Sequence, residues 1–213
     1  MVLLSYAPLI AKGALTTFCA WVVAGCLSIV AGTLVGIATC YYTPSKPLSL
    51  IASVYVFIAK GIPAYVQILI AYFVIPAALG INPSAFFAAV GALVFCSTGY
   101  VAEIVRSGIN ALSKGQWQAC MVLGYSRYQA LTRIILPQAY TNITPALIGE
   151  LEQLLKSTSL LATIGISELT RTGMNIISRE LNPLPVYLVV AGVYLFFSAF
   201  LTLAARYARR SYV

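Results

Sequence analysis

The sequence predicts an all-α membrane protein with several transmembrane helices. Hydrophobic residues make up 61% of the 213 and charged residues only 8%, whereas about a quarter of a soluble domain is charged. The mean hydropathy of +0.92 agrees with this composition. The charged residues also lie far apart and leave long uncharged stretches between them. Such stretches are typical of helices that cross a lipid bilayer.

Five stretches are long enough to cross a membrane, which takes about 20 apolar residues in a helix. Within one membrane domain of residues 1–213, we place the spans at about 14–42, 49–80, 84–104, 142–165 and 186–205. The second is too long for one upright crossing and too short for two. It contains Lys60-Gly61-Ile62-Pro63, and proline removes a helical hydrogen bond. We therefore expect one bent or partly re-entrant span there.

The basic residues predict which ends of the spans face the cytoplasm, because Lys and Arg are enriched in cytoplasmic loops. With a cytoplasmic C-terminus, eight of the thirteen lie inside: Lys46, Arg106, Lys114, Arg127, Arg133, Arg206, Arg209 and Arg210. Three lie outside: Lys12, Arg171 and Arg179. The loop of residues 105–140 is then cytoplasmic, and the N-terminus faces outward.

The residue types that are missing exclude several functions. The chain has no His, and all five acidic residues are Glu. This largely excludes metal sites built on imidazole and hydrolytic triads, and it argues against a membrane-embedded enzyme. The basic residues are scattered at the ends of apolar stretches, so nucleic acid is not an expected partner. The five cysteines have no CxxC spacing, which argues against a metal site or a disulfide framework.

The loop of residues 105–140 has the pattern of two short helices. Ser113 with Gln116, and Ser126 with Gln129, fit the capping box that starts a helix. The first helix, about 114–123, carries a stripe at helical spacing that we expect to be exposed: Trp117, Cys120, Met121 and Gly124. Gly124 is expected to end this helix and Pro137 to bound the second. From spacing alone, the pair is either an amphipathic connector on the membrane surface or a docking element.

The span at 142–165 contains ionisable side chains, each of which costs at least ~2.5 kcal/mol at bilayer depth and therefore suggests a function. One helical face holds Glu150, Gln153 and Ser157, and another holds Glu152, Lys156 and Ser159. Either Glu152 and Lys156 neutralise each other at i,i+4, or a face lines a solute pathway. Polar groups near the bend of the second span join the predicted pathway: Lys60, Gly61 and Gln67.

Three weaker features have ordinary interpretations beside functional ones. The pair Gly32 and Gly36 permits close helix packing and by itself is a weak sign of dimerisation. Glu103 and Arg106 are spaced to form an interfacial ion pair. The outer segment 166–184 fits either a solvated loop or a contact with a solute-binding protein.

The loop closely resembles the EAA loop of ABC-transporter permease subunits, whose pattern is E-A-A-x3-G-x9-I-x-L-P. Here Gln118-Ala119-Cys120 precedes Gly124, and nine residues later comes Ile134-x-Leu136-Pro137. Further segments are similar to polar amino acid permeases: KGIPAYVQ (60–67), YVAEIVRSGI (100–109), KGQW (114–117), ILPQA (135–139) and LLKSTSLLATIGISEL (154–169). The resemblance thus covers nearly the whole chain.

The resemblance implies that the first loop helix is a coupling helix that docks on an ATP-hydrolysing subunit. The implied coupling residues are Trp117, Gln118, Ala119, Cys120, Met121, Gly124, Leu136 and Pro137. The chain has no GxxxxGK[ST] motif, so the ATPase is expected to be a separate chain. We expect no cofactor on this chain, with ATP and Mg²⁺ on the ATPase. Gln118 stands where the family commonly has Glu, which puts an ion pair at that position in doubt.

The resemblance also implies a pathway role for Lys156, Ser157 and Thr158, in a segment where the family often has Asp in place of Ser157. The expected protein is a bacterial inner-membrane permease subunit for a polar amino acid, glutamine- or arginine-type. Glu152 on the pathway would favour a cationic amino acid such as arginine.

Expected partners are ABC ATPases, an outer solute-binding protein and a second permease, identical or similar. The alternative is a secondary transporter or channel that needs no ATPase, although no inverted repeat supports it.

Overall fold

The computed structural model describes residues 5–40 and 45–210, and the regular structure in these ranges is helical. We label the helices in chain order: α1 (Ala7–Thr39), α2 (Lys46–Gly61), α3 (Ala64–Leu79), α4 (Ala85–Ala111), α5 (Lys114–Val122), α6 (Arg127–Ala130, Leu131–Ile135 and Leu136–Ser157 in succession), α7 (Leu169–Glu180) and α8 (Pro183–Arg210). A tight 3₁₀ segment, Thr158–Ile164, follows α6. The predicted all-α fold class is confirmed.

Several of these helices are long and apolar enough to cross a membrane. Within the described ranges, three reach this length and hydropathy individually: Ala7–Thr39, Ala85–Ala111 and Pro183–Ala205. Helices α2 and α3 reach it only together, as one bent pair. The remaining predicted span, 142–165, falls on α6 and the 3₁₀ segment, and its three charged side chains lower its hydropathy.

The break between α2 and α3 lies at Ile62 and Pro63, where the sequence predicts it. The N–H of Ile62 donates to the carbonyl of Ile58 at 3.2 Å and completes the last turn of α2. Pro63 follows in an extended conformation with ψ of 136°, and it has no N–H that could continue the helix.

Helix α6 passes through Pro137 without ending. A wide π-turn, Leu131–Ile135, comes directly before Leu136, whose N–H donates to the carbonyl of Leu131. Proline lacks an N–H and crowds the carbonyl four residues earlier, and the wide turn accommodates both effects. The prediction that Pro137 bounds the second loop helix is therefore wrong, because the helix continues to Ser157.

The described chain forms two compact units. One comprises the described residues up to Cys26, Pro63–Val94 and those from Leu151 onward; the other comprises the described residues of Leu27–Ile62, and Phe95–Glu150. We refer to them as the first and second unit.

The first unit has two apolar clusters. The larger joins parts of α1, α3, α4 and α6 with the 3₁₀ segment, and its most buried members are Ala20, Ala24, Ile68, Ala89, Leu93 and Leu161. The smaller joins α1, α7 and α8 through Ile10, Leu169, Ile176, Val186 and Val190. In the larger cluster, small residues of α1 and α4 let larger side chains of neighbouring helices fill the space between them.

In the second unit, the two glycines of α1 account for its close packing on α4. A Cβ on Gly32 would lie 2.6 Å from the Cβ of Val101, and a Cβ on Gly36 would lie 2.7 Å from the carbonyl oxygen of Ala102. Real Cβ atoms essentially never approach a non-bonded atom this closely. The Gly32 and Gly36 spacing therefore serves packing within this chain.

Candidate functional site

Helix α5 is anchored on the second unit by two side chains. Trp117 and Cys120 are 7% and 2% exposed, and they pack in an apolar cluster with residues of α4 and α6: Val105, Ile109, Ala130, Ile135 and Ala139. The predicted exposed stripe is therefore wrong at Trp117 and Cys120. Helical spacing identifies an apolar face, but the chain's own neighbours, α4 and α6, cover this one.

The exposed apolar part of α5 is its C-terminal end. Met121, Val122 and Leu123 are 43%, 87% and 73% exposed. Gln118 and Ala119 are also exposed. Large apolar side chains grouped at an exposed helix end indicate contact with another surface. We call Met121, Val122 and Leu123 the apolar tip of α5.

Gly124 ends α5 as the sequence predicts. Its φ is +80°, a left-handed conformation that glycine adopts without strain. The N–H of Tyr125 donates to the carbonyl of Cys120 at 3.0 Å, and that of Gly124 donates to the carbonyl of Met121 at 3.1 Å. These two bonds close a Schellman motif. A Cβ on Gly124 would meet no atom within 4 Å, so the position next to the apolar tip is open.

The two predicted capping boxes differ in the structure. At α6, the N–H of Ser126 donates to Oε1 of Gln129 at 2.9 Å, and the N–H of Gln129 donates to Oγ of Ser126 at 3.3 Å. At α5, Ser113 is the N-cap but its hydroxyl makes no capping bond. The N–H of Gln116 instead donates to the carbonyl of Ser113 at 3.0 Å. The tight first turn thus satisfies the donor that the hydroxyl would have bonded.

The remaining predicted coupling residues lie at the start of the long part of α6. Leu136 is half-buried and packs against the apolar cluster that holds Trp117. Pro137 is exposed. Leu136 is thus a packing contact within the second unit, whereas Pro137 is accessible from outside it.

The two acidic residues of α6 each bond to a hydroxyl of another helix. Ser97 of α4 donates to Oε1 of Glu150 at 2.7 Å within the second unit. Thr202 of α8 donates to Oε1 of Glu152 at 2.6 Å within the first unit. Glu152 and Lys156 form no ion pair, so the suggested mutual neutralisation does not occur. Among the described residues, each of these two acids thus has a hydroxyl partner and neither has a cationic one.

The predicted pathway residues after Glu152 differ in exposure. Gln153 and Lys156 are exposed, Ser157 is half-buried and Thr158 is completely buried. The hydroxyl of Ser157 donates to the carbonyl of Gln153 at 3.0 Å, and that of Thr158 donates to the carbonyl of Leu155 at 2.6 Å. Among the charged and hydroxyl side chains here, Lys156 therefore lies at the surface of the first unit.

The residues near the bend divide between the units. Gln67 is buried in the first turns of α3, in the first unit. Lys60 lies in the last turn of α2, in the second unit, and its ammonium group pairs with the carboxylate of Glu103. Gly61 lies beside Lys60 at the edge of a cleft. Arg106 pairs with the same carboxylate at 3.5 Å, as the spacing from Glu103 predicts.

Comparison with known proteins identifies the chain. A family model described as a binding-protein-dependent transport system inner membrane component matches residues 28–212. The chain belongs to this family. The arginine transport system permease protein ArtQ of Bacillus subtilis is 32% identical over 203 residues, which cover 95% of this chain and 92% of ArtQ. The glutamine transport system permease protein GlnP of Escherichia coli is 33% identical over 206 residues, covering 95% and 92%.

Solved structures resemble the permease over its full length. A crystal structure of an amino acid ABC transporter with histidines matches with a TM-score of 0.88 and 31% identity, covering 99% of this chain and 97% of the other. An inward-facing methionine ABC transporter, MetNI, matches with a TM-score of 0.84 at 19% identity and supports the fold alone. The permease is thus a multi-pass inner-membrane subunit of an ABC importer, a class that works with ATPase and binding-protein partners.

The permease contains a buried polar network that the sequence analysis missed. Glu168 is completely buried at the start of α7. Its carboxylate accepts bonds from the N–H groups of Thr170 and Arg171 at 2.8 and 2.6 Å, and from the hydroxyls of Thr17 and Tyr194 at 3.4 and 3.1 Å. Burial raises the pKa of the Glu168 carboxyl group, and these hydrogen bonds oppose part of the rise.

This network reaches the predicted pathway segment of the permease. The hydroxyl of Tyr194 also contacts those of Thr170, at 3.1 Å, and Thr158. Glu168 and Tyr194 therefore connect α7 and α8 to the turn that follows Lys156. The sequence carries part of the signal, since Glu168 is a carboxylate directly before an amphipathic helix. Its two hydroxyl partners, Tyr194 and Thr17, are 26 and 151 residues distant in the chain.

Proposed function

We propose that this permease forms the membrane pathway of an ATP-driven importer for a polar amino acid, glutamine- or arginine-type. The names of the relatives, ArtQ and GlnP, support that substrate class. The polar groups on α6 fit it chemically, because an amino acid carries an amine and a carboxylate. In this proposal the solute passes Lys156 and Glu152, and Ser157 and Thr158 shape the turn beside them.

The observation that carries the proposal is the anchored α5 with its exposed apolar tip. Trp117 and Cys120 fix α5 to α4 and α6 through buried contacts. A push on the apolar tip is therefore transmitted to two long helices of the second unit instead of bending the loop. This is the mechanical property that a coupling element needs, because the ATPase hydrolyses ATP on a different chain.

The proposed assembly holds two permease chains, identical or similar, with two ATPases on the cytoplasmic side and a solute-binding protein on the outside. The C-terminus and α5 face the cytoplasm, as the distribution of basic residues predicts. The segment 166–184, which contains α7, then faces outward and is the proposed contact for the binding protein.

Reconstitution tests the function. The permease and its ATPase are reconstituted in liposomes together with the binding protein. Uptake of labelled glutamine and arginine is measured with and without ATP on the side of the membrane where the ATPase lies. Saturable uptake that requires ATP is expected for at least one of the two. Uptake at full rate by the permease alone, without nucleotide, would contradict the proposal and favour a secondary transporter or channel.

The apolar tip is tested separately with the double variant Val122→Ser and Leu123→Ser. Loss of two exposed apolar contacts should weaken binding of the ATPase to the permease about 10-fold or more. The control is Leu184→Ser, which alters a leucine that is also exposed, at 70%, but at the start of α8. Unchanged affinity of the double variant would remove the apolar tip from the ATPase interface.

A further inference from the structure

The second unit contains a cleft lined by α2, α4 and the end of α1 that has no role in the proposed coupling. Its volume is about 400 Å³, which is enough for a free amino acid. The walls combine charged, hydroxyl and aromatic side chains: Ser53, Phe57, Lys60, Glu103 and Arg106. Gly61 forms part of its edge, and a Cβ there would meet no atom within 4 Å.

The charges in the cleft alternate in sign. One carboxylate oxygen of Glu103 pairs with Lys60, and the other lies 3.5 Å from Arg106. The side chains of Lys60, Glu103 and Arg106 are 32%, 39% and 45% exposed, so all three remain accessible from the cleft. The ammonium group of Lys60 also lies 5.5 Å from the ring centre of Tyr100, within the range of a cation–π contact.

Close packing of the backbones places these groups together. A Cβ on Gly99 would lie 2.8 Å from the Cβ of Ala59 and 3.5 Å from Cγ of Lys60. Because Gly99 has no side chain, α2 approaches α4 closely enough for Lys60 to reach Glu103 one turn further along α4. The bend after Gly61 ends α2 at this point, so the side chain of Lys60 projects at the open end of the helix.

We propose that this cleft binds the zwitterionic head group of a free amino acid. The carboxylate of the ligand lies between Lys60 and Arg106, and its ammonium group replaces one of these cations at the carboxylate of Glu103. An anion such as a lipid phosphate pairs only with the two cations, whereas a zwitterion offers a partner of opposite charge to all three groups. The proposal rests on the proposed function and adds Glu103 and Arg106 to the substrate-contacting residues.

Two ligand analogues test the assignment of each charge. Binding of labelled L-glutamine and L-arginine is measured on the permease–ATPase complex in lipid nanodiscs, without binding protein. The competitors are N-acetyl-L-glutamine, which lacks the ammonium group, and 4-aminobutanamide, which lacks the carboxylate. Glu103→Gln should weaken the binding of glutamine about 10-fold or more but leave the affinity for N-acetyl-glutamine unchanged. Arg106→Gln should weaken the binding of glutamine by a similar factor but leave the affinity for 4-aminobutanamide unchanged.

This crossed pattern distinguishes a contact from general misfolding, which would weaken all ligands together. Lys12→Gln, an exposed cation outside the cleft, is the control and should bind every ligand as the unmodified permease does. Equal weakening of all ligands by Glu103→Gln, or no weakening by either variant, would overturn the proposal.

A steric test uses the open glycine. Gly61→Leu should fill the cleft and reduce binding of glutamine and arginine about 10-fold or more. Gly91→Leu is the matched control, because a Cβ on Gly91 of α4 also meets no atom within 4 Å. If ATP-driven uptake holds in the unmodified permease but Gly61→Leu binds normally, only the cleft assignment fails. If ATP-driven uptake of both amino acids is absent, the proposed function fails instead.

Discussion

The hydroxyl of Tyr194 on α8 donates a hydrogen bond across 3.1 Å to the buried carboxylate of Glu168 at the start of α7. The same carboxylate accepts a bond from Thr17 of α1. One carboxylate thus connects three helices of the first unit. The hydroxyl of Tyr194 also contacts Thr158, so the network holds the turn that follows the polar part of α6.

Tyr194→Phe should lower the free energy of unfolding by about 1–3 kcal/mol, because it leaves a buried carboxylate with one donor fewer. The ring remains, so apolar packing is unchanged. Thermal or denaturant unfolding of the purified protein in detergent measures the effect. Tyr187→Phe on the same helix is the control, since Tyr187 is 49% exposed. Equal stability of the two variants would argue against the network.

Gly124→Glu should uncouple ATP hydrolysis from uptake, since it places a bulky charge beside the apolar tip of α5. The left-handed backbone at Gly124 adds strain to most substitutions. Gly124→Asn is therefore the control, because asparagine tolerates this conformation and adds no charge. ATP hydrolysis and uptake are measured together in liposomes. Uptake by Gly124→Glu at the rate of Gly124→Asn would count against a coupling role for this position.

Gly36→Leu should destabilise the protein by about 1–3 kcal/mol through overpacking. Any side chain at this position meets the backbone carbonyl of Ala102, which cannot move aside without shifting α4. The control is Gly192→Leu on α8, where a Cβ meets no atom within 4 Å. Unfolding midpoints of the two variants give the comparison, and a midpoint of Gly36→Leu as high as that of the control would contradict the packing argument.

Glu152→Gln should reduce uptake of arginine relative to glutamine about tenfold, equivalent to about 1.4 kcal/mol. The carboxylate of Glu152 bonds to the neutral hydroxyl of Thr202 and not to Lys156, so its charge is available to a cationic solute. Competition uptake with both labelled amino acids gives the ratio. Lys46→Gln, which removes an exposed charge outside both the predicted spans and the segment 166–184, is the control. An unchanged ratio in Glu152→Gln would remove the argument for a cationic substrate.

The helix boundaries of the loop of residues 105–140 show which structural features local sequence patterns predict. The capping box at Ser126 and the left-handed end at Gly124 were predictable, because each depends on residues within five positions. The end expected at Pro137 was wrong, since a π-turn five residues long accommodates the proline. The hydroxyl of Ser113 makes no capping bond, because the carbonyl of the same residue already accepts the N–H of Gln116.

Hydropathy, charge and capping chemistry are local properties of the chain, and they were enough to establish a helical membrane protein, its bend before Pro63 and the helix pair of the loop. Which neighbour covers each helix face depends on contacts between residues far apart in the chain. Packing alone therefore turned Trp117 and Cys120 inward and left Val122 and Leu123 exposed. It also directed Glu168 to Tyr194, because a buried carboxylate must find its donors wherever the fold places them.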